Sequence, residues 1–305
     1  MEGFISLIFS VDFVYSIFRV MTPLLFASMG AVISDIAGVP NIALEGLMLM
    51  AAFSGMYFSY LTQSAFIGLL MALVTAVIFA GVLAFFTLYY KTNIILGGIA
   101  LNSLASGGTV FFLYLVANDK GTSVSLASKT LPNLRIPVLD SIPVLGDILS
   151  GHNILTYVSV LAVAFTYYLL KSTDLGYHIR AVGEKKEAAE SVGISAVKTQ
   201  AIALLLSGVM CGFGGAFMSM GYVSWFSRDM LSSRGWIALA AEAMGRQTAL
   251  GSAAASLLFG VADAISNAAA AQGLPSDLVK TIPYLATLAG LTIFSVRVYR
   301  KQKEV

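Results

Sequence analysis

Apolar runs of about twenty residues recur along this chain, and that recurrence fixes the class of fold before any motif is considered. A helix rising about 1.5 Å per residue needs roughly 20 apolar residues to cross about 30 Å of hydrocarbon. Hydropathy places candidate spans near residues 14–37, 42–61, 65–90, 93–117, 152–171, 198–221, 236–246, 248–270 and 278–296. The run at 236–246 is too short to cross alone, so it reads as a half-helix or re-entrant piece, tolerable only where its backbone is buried in protein or lines a cavity. The expected fold is all-α, a polytopic transmembrane bundle of about nine passes with broken or short helices.

Composition agrees. Hydrophobic residues make up 58% of the 305 positions and charged residues 11%, against about 25% charged in soluble domains; mean hydropathy is +0.85. No soluble catalytic domain fits beside the spans. The formal charge of +2 says nothing about nucleic acid, since the basic residues sit mostly at membrane edges and not on one face, and no nucleic-acid partner is expected. The lone Cys211 excludes an internal disulfide and a cysteine-built metal site. The start, Met1-Glu2-Gly3-Phe4, lacks a basic n-region, so the first apolar run is expected to be retained as a span.

Lys and Arg in the loops set the expected orientation. The 171–198 loop carries Lys171, Arg180, Lys185, Lys186 and Lys198, and the tail carries Arg297, Arg300, Lys301 and Lys303; Lys91 and Arg246 bring that side to eleven. The other side holds six (Lys120, Lys129, Arg135, Arg228, Arg234 and Lys280), while Arg19 lies within or near the first span. The C-terminus is therefore expected in the cytoplasm, and an odd number of passes puts the N-terminus outside. The external insertion Asn118–Gly151, rich in Pro, Ser, Asp and Gly, reads as a folded loop or short hairpin, or as a plain linker.

Two places carry more than an anchor needs. The segment Ala37-Gly-Val-Pro-Asn-Ile-Ala-Leu-Glu-Gly46 puts a proline, an asparagine and a glutamate at the start of an apolar run. Ionisable groups at bilayer depth are costly and face a polar path or a partner, so the segment reads as a broken helix. With 152–171 taken as a connector helix, four passes precede it (repeat one, about 14–117) and four follow (repeat two, about 198–296). The two sets then enter from opposite sides, the arithmetic of an inverted repeat. Asn41-Ile-Ala-Leu-Glu-Gly46 and Trp236-Ile-Ala-Leu-Ala-Ala241 open corresponding passes. The second place is the cytoplasmic loop 172–197. There Gly183 is expected to end one element, Glu184 to Val192 to form a short amphipathic helix, and Gly193 to close it. Its Ala188-Ala189 face, rimmed by Lys185, Lys186, Glu187 and Glu190, suits docking on a soluble partner or, equally, a solvated surface.

The pattern Arg180-Ala-Val-Gly-Glu184, Ala188-Ala-Glu190 and Gly193-Ile194, with Gly38–Gly46 and Arg234-Gly-Trp-Ile-Ala-Leu-Ala-Ala241, resembles permease subunits of bacterial ABC importers of the ribose, galactoside and nucleoside uptake group. The likeness runs from about Pro23 to Tyr299 and is nearest the shorter nucleoside permease that works with a basic-membrane-protein-type lipoprotein. Lys185-Lys186 stands where an Asn-Pro or similar pair is common in the family, and Glu242 interrupts a normally apolar stretch. The resemblance implies an inner-membrane permease that pairs with a longer paralogue, an ABC ATPase and an extracytoplasmic substrate-binding lipoprotein. It implies ATPase coupling through Arg180, Gly183, Glu184, Ala188, Ala189, Glu190, Gly193 and Ile194, and a nucleoside or simple-sugar cargo. No Gly-x-x-x-x-Gly-Lys-Ser/Thr loop occurs, so ATP and Mg are expected on the partner and no cofactor on this chain.

Path candidates are Asn41, Glu45, Asn102, Ser103, Glu242, Asp263 and Asn267. Each has a plainer reading: Asn41 as a helix cap, Glu45 as a carboxylate capping neighbouring amides, Asn102 and Ser103 as packing in a small-residue helix, and Glu242, Asp263 and Asn267 as a polar interhelical clamp. Phe111, Phe112, Tyr114, Trp225, Phe226 and Trp236 read first as an interfacial aromatic belt, with base stacking on a nucleoside as the lesser alternative. Gly208-x-x-x-Gly212 reads as a close helix contact. An ion-coupled secondary transporter using Glu45, Glu242 or Asp263 is the alternative function. An intramembrane enzyme is disfavoured, because His152 and His178 fall at span edges with no nucleophile–base pair beside them.

Overall fold

The computed structural model describes residues 10–137 and 145–271, with isolated positions between 281 and 292. In chain order the helices are α1 (Val11–Ile36), α2 (Leu44–Thr62), α3 (Ala65–Ala84), α4 (Ile94–Ala117), α5 (Leu145–Leu149), α6 (Ile154–Ser172), α7 (Asp174–Glu184), α8 (Lys186–Ser191), α9 (Ala196–Phe217), α10 (Arg234–Met244) and α11 (Ala249–Ala271). Single π-helical turns extend α3 to Tyr89 and α9 to Tyr222. Polar caps fix where spans begin: Ser10 accepts from Phe13 N–H, Asn93 from Ile95 and Leu96 N–H, and Asn153 from Leu155 N–H.

Among the described residues seven helices are long and apolar enough to cross a membrane: α1, α2, α3 with its π turn, α4, α6, α9 with its π turn, and α11. Helix α10 has 11 residues, about 16 Å at 1.5 Å per residue, and is the short element expected at 236–246. The expected last pass at 278–296 and the tail 297–305 lie outside the described residues. The segment 118–151, expected outside the membrane, forms no hairpin among the described residues. Its stretch 118–137 is an irregular cap touching the bundle through isolated bridges, Thr122 with Ser227 and Asn133 with Asn153. Ser59 ties it down, donating to Lys129 O at 2.7 Å and accepting from Lys129 N–H at 2.9 Å.

Helices α1, α2 and α9 form the centre, where Phe26, Met29, Ile33, Met48 and Phe217 are fully buried. Helices α1 and α9 pack on each other and exchange partners: α1 packs on α10 and α11, α9 on α2 and α3. The α3–α9 contact is made of small residues. Ala72, Ala76 and Ala80 are fully buried, and a Cβ on Gly208 would fall 2.6 Å from Ala80 Cβ, so Gly208 and Gly212 serve the close helix approach expected of them. Of the aromatic belt, Phe111, Phe112 and Tyr114 are exposed on α4, whereas Phe226 is fully buried. The cap explains the difference: Phe226 O accepts from Ser123 N–H, Phe226 N–H donates to Ser123 Oγ, and its ring meets Phe53 edge-on at 5.4 Å.

Candidate translocation pathway and coupling surface

The α1–α2 junction, residues 37–43, is held on every side. Gly38 takes a left-handed φ of +75°, which turns the chain back into the bundle. Ser34 Oγ then accepts from Asn41 N–H, Asn41 Nδ2 donates to Ser207 Oγ at 2.9 Å, and Asn41 Oδ1 accepts from Ala43 N–H at 3.0 Å. Ser207 lies near the middle of the Ala196–Tyr222 span, so α2 starts inside the bundle and not at its end. Asn102 on α4 clamps the same turn, accepting from Gly46 N–H at 2.7 Å and donating to Ile42 O at 2.9 Å. Asn41 and Asn102 thus spend their polar groups on the backbone and on Ser207, the capping and packing readings. Ser103 is exposed and donates back to Ile99 O.

Glu45, on the first turn of α2, points across to α10. Its carboxylate accepts from Ser233 N–H at 3.0 Å and from Gly235 N–H at 2.6 Å. Helix α10 has no side-chain cap of its own, and Ser233 before it has a φ of +66°. A glutamate from the first half therefore caps a helix of the second half, where an anion complements the positive end of the helix dipole. Gly235 makes room for it, since a Cβ there would lie 2.7 Å from Glu45 Cα.

Arg234, 9% exposed, pairs with Asp263 on α11 at 2.9 Å and donates to Leu231 O. Asp263 is thus an interhelical clamp, and the exposed Asn267 one turn on is not brought to it. Glu242 is buried beside Asp35, with Oε1 lacking a hydrogen-bond partner among the described residues. Asp35 Oδ2 accepts from Gln247 Nε2 at 2.6 Å, which ties the far end of α10 to the end of α1.

One feature of this region was not read from the sequence. Ser106, near the middle of α4, donates to Asp229 Oδ1 at 3.1 Å, and Asp229 pairs with Arg228 at 3.2 Å, the two side chains 57% and 63% exposed. An open ion pair touching the middle of a spanning helix is costly against lipid and marks a water-filled or partnered face. The adjacency Arg228-Asp229 was the available signal, but nothing in it announced that the chain dips inward there.

Beside the 118–137 cap a cavity of about 550 Å³ is lined by Arg19, Asn133, Asn153, Tyr222 and Trp225 among others. Arg19 donates to Tyr222 O and lies over its ring. Next to it His152 stacks on Tyr15 at 3.9 Å and donates from Nε2 to Ile148 O. Burial holds the His152 imidazole below its ordinary pKa, the Ile148 bond opposes that shift, and Arg19 adds to it.

The loop 172–197 departs from expectation in two ways. Helix α7 runs through Gly183 to Glu184 and breaks at the extended Lys185, with α8 following. Gly183 is there for contact and not termination, because a Cβ on it would collide with Ile36 O. Ala189 is not on the docking face: it is buried at 3% with Val182 and Ala196. Ala188 stays outside among Glu184, Lys185, Lys186, Glu187 and Glu190, all exposed. Gly193 does close the element, at φ +89°. Arg180 lies over the ring of Tyr177 at 5.0 Å, and Ile194 packs against the Ala189 cluster.

A bundle of spanning helices with interrupted starts, opposed across two halves, and a compact helix pair at one end define a multi-pass transport component. Residues 13–291 match the family described as branched-chain amino acid transport system / permease component, and the chain belongs to it. It is 31% identical over 283 residues to the guanosine ABC transporter permease NupQ of Bacillus subtilis, covering 89% of this chain and 88% of that one. It is 29% identical to the nucleoside ABC transporter permease NupC of Lactococcus lactis (90% and 89% covered) and 27% identical to the glucose ABC transporter permease TsgB13 of Haloferax volcanii (91% and 76% covered). The chain is a membrane permease subunit of an ABC importer, a transport component that works with an ATPase and a substrate-binding protein.

Proposed function

We propose that this chain forms one wall of the path by which a nucleoside crosses the cytoplasmic membrane of a bacterium. The observation that carries the reading is the open Ser106–Asp229–Arg228 seam beside the α2 and α10 starts, on a chain whose relatives include guanosine and nucleoside permeases. A seam open on one side calls for a second permease, here a longer paralogue, to close it. ATP and Mg belong to the ATPase, which grips the exposed faces of α7 and α8. A lipoprotein delivers cargo to the capped outer end, opposite a cytoplasmic C-terminus. The exchange of partners between α1 and α9 supports an inverted repeat, whose two halves rock against each other as the ATPase closes. Glu45, Asn41 and Asn102 hold the broken helices in shape, while Ser103, Asp229 and Arg228 meet water and cargo.

Proteoliposomes holding both permeases, the ATPase and the lipoprotein test this. ATP-dependent uptake of radiolabelled guanosine, adenosine or uridine is expected, falling about tenfold in Asp229→Asn if one charge-assisted contact of about 1.5–3 kcal/mol is lost. Uptake of ribose or glucose with no nucleoside uptake would overturn the cargo; uptake by this chain alone down an ion gradient would replace the importer with the secondary transporter.

A further inference from the structure

Helix α10 is attached to the α1–α2 junction at both of its ends. Glu45, just after the junction, holds its first turn through Ser233 and Gly235 N–H. Asp35, just before the junction, holds Gln247, which follows its last turn. The residues between those two anchors are in turn gripped from the coupling side. Gln200, on the first turns of α9 and 7% exposed, donates from Nε2 to Ala37 O at 3.1 Å. Gly183 on α7 lies against Ile36, Ala37 and Gly38 with no room for a Cβ. Both grips are continuous with α8, because Ala189 packs on Val182 of α7 and on Ala196, the first residue of α9.

We infer that α10 is the moving gate of this permease, suspended from the α1–α2 junction by Asp35 and Glu45, and that Gln200 and Gly183 are positioning residues which convey displacement of α7 and α8 to that junction. The inference rests on the importer reading above. A push on α8 enters through Ala189, moves the α7 end and the α9 start together, and shifts Ala37 and Gly38. Because both anchors flank those residues, α10 follows as a unit, and the seam between Asp229 and Ser106 on α4 opens. Small discrete shifts are amplified this way when packed elements have two arrangements and not a continuum.

The complete importer in proteoliposomes, built on a Cys211→Ala background, carries the test. Spin labels at Leu104→Cys on α4 and Trp236→Cys on α10, both exposed positions, report their separation with and without ATP. The wild-type relay is expected to change that separation on ATP binding. Gln200→Leu keeps the volume and removes the donor; it is expected to leave ATP hydrolysis intact, abolish the separation change and lower cargo moved per ATP by about tenfold, the size of an ordinary coupling energy. In a second arm Asp35→Cys and Gln247→Cys are joined by a short bifunctional thiol reagent, and uptake is expected to persist, since the two sites travel together. A full separation change in Gln200→Leu overturns the relay, as does uptake that stops on bridging and returns on reduction. A wild-type complex showing the separation change but no nucleoside uptake overturns the cargo reading and supports the relay.

Discussion

Gly235 donates its backbone N–H to Glu45 Oε2 at 2.6 Å, joining two helix starts 190 residues apart in sequence. The sequence left Glu45 between lining a path and capping amides; the geometry makes it a cap, and the helix it caps belongs to the other half of the chain. Glu45→Gln keeps one acceptor but turns an amide NH₂ toward donors that need acceptors. It is expected to cost about 1.5–3 kcal/mol at this contact and to cut uptake about tenfold while assembled protein persists. Glu45→Asp, too short to reach both N–H groups, should fall between. Uptake together with thermal unfolding in detergent checks this, and an uptake unchanged in Glu45→Gln refutes the cap as a functional link.

Arg234 and Asp263 are partners in a shielded pair, so their effects should not add. Removing one leaves the other charge stranded, which costs about 3–5 kcal/mol in buried pairs, whereas replacing both with apolar residues is often close to neutral. Arg234→Leu and Asp263→Leu should each lower the unfolding temperature markedly, and the double variant should regain most of the loss. Additive losses in that double-mutant cycle would show that the two side chains act separately.

His152 should make the end of the bundle beside the 118–137 cap sensitive to acid. Burial holds its folded pKa below the ordinary 6.5, so the imidazole is neutral in the fold while the unfolded chain takes up a proton below about 6.5. The resulting stability is fully present above pH 6.5 and is lost as pH falls from there toward the lowered folded value, by at most about 1.4 kcal/mol per pH unit. Thermal unfolding in detergent from pH 7.5 to 5 should show this fall, and His152→Phe, which keeps a ring against Tyr15, should flatten it. An unchanged slope in His152→Phe would assign the acid sensitivity to other groups.

The seven described spans and the short α10 were legible because hydropathy is a local property, and the junction was legible because proline, asparagine and glutamate are out of place in an apolar run. Partner choice was not. Nothing near Glu45 in sequence announces Gly235, nor does anything near Ala37 announce Gln200, because both contacts are made only after α1 and α9 exchange halves. Phe226 read as a belt residue for the same reason: its burial comes from Ser123 in a distant cap. The faces of α8 were misread because a six-residue helix is too short for periodicity to say which of two adjacent alanines turns inward.

That last distinction separates docking from folding on neighbouring residues. Ala188 is exposed among charged side chains, while Ala189 is sealed against Val182 and Ala196. A bulky Ala188→Arg should leave the isolated permease as stable as before, because surface substitutions away from special features change stability by about 0.5 kcal/mol or less. It should nevertheless weaken capture of the ATPase and slow uptake, since it protrudes from the face proposed to dock that partner. Ala189→Arg forces a charge into a packed site and should lower the stability of the permease before any partner is added. Co-purification of the ATPase, read beside thermal unfolding of the permease alone, tells the two apart. Equal loss of ATPase binding with equal loss of stability in both variants would mean that α8 is only a structural prop and that the docking face lies elsewhere.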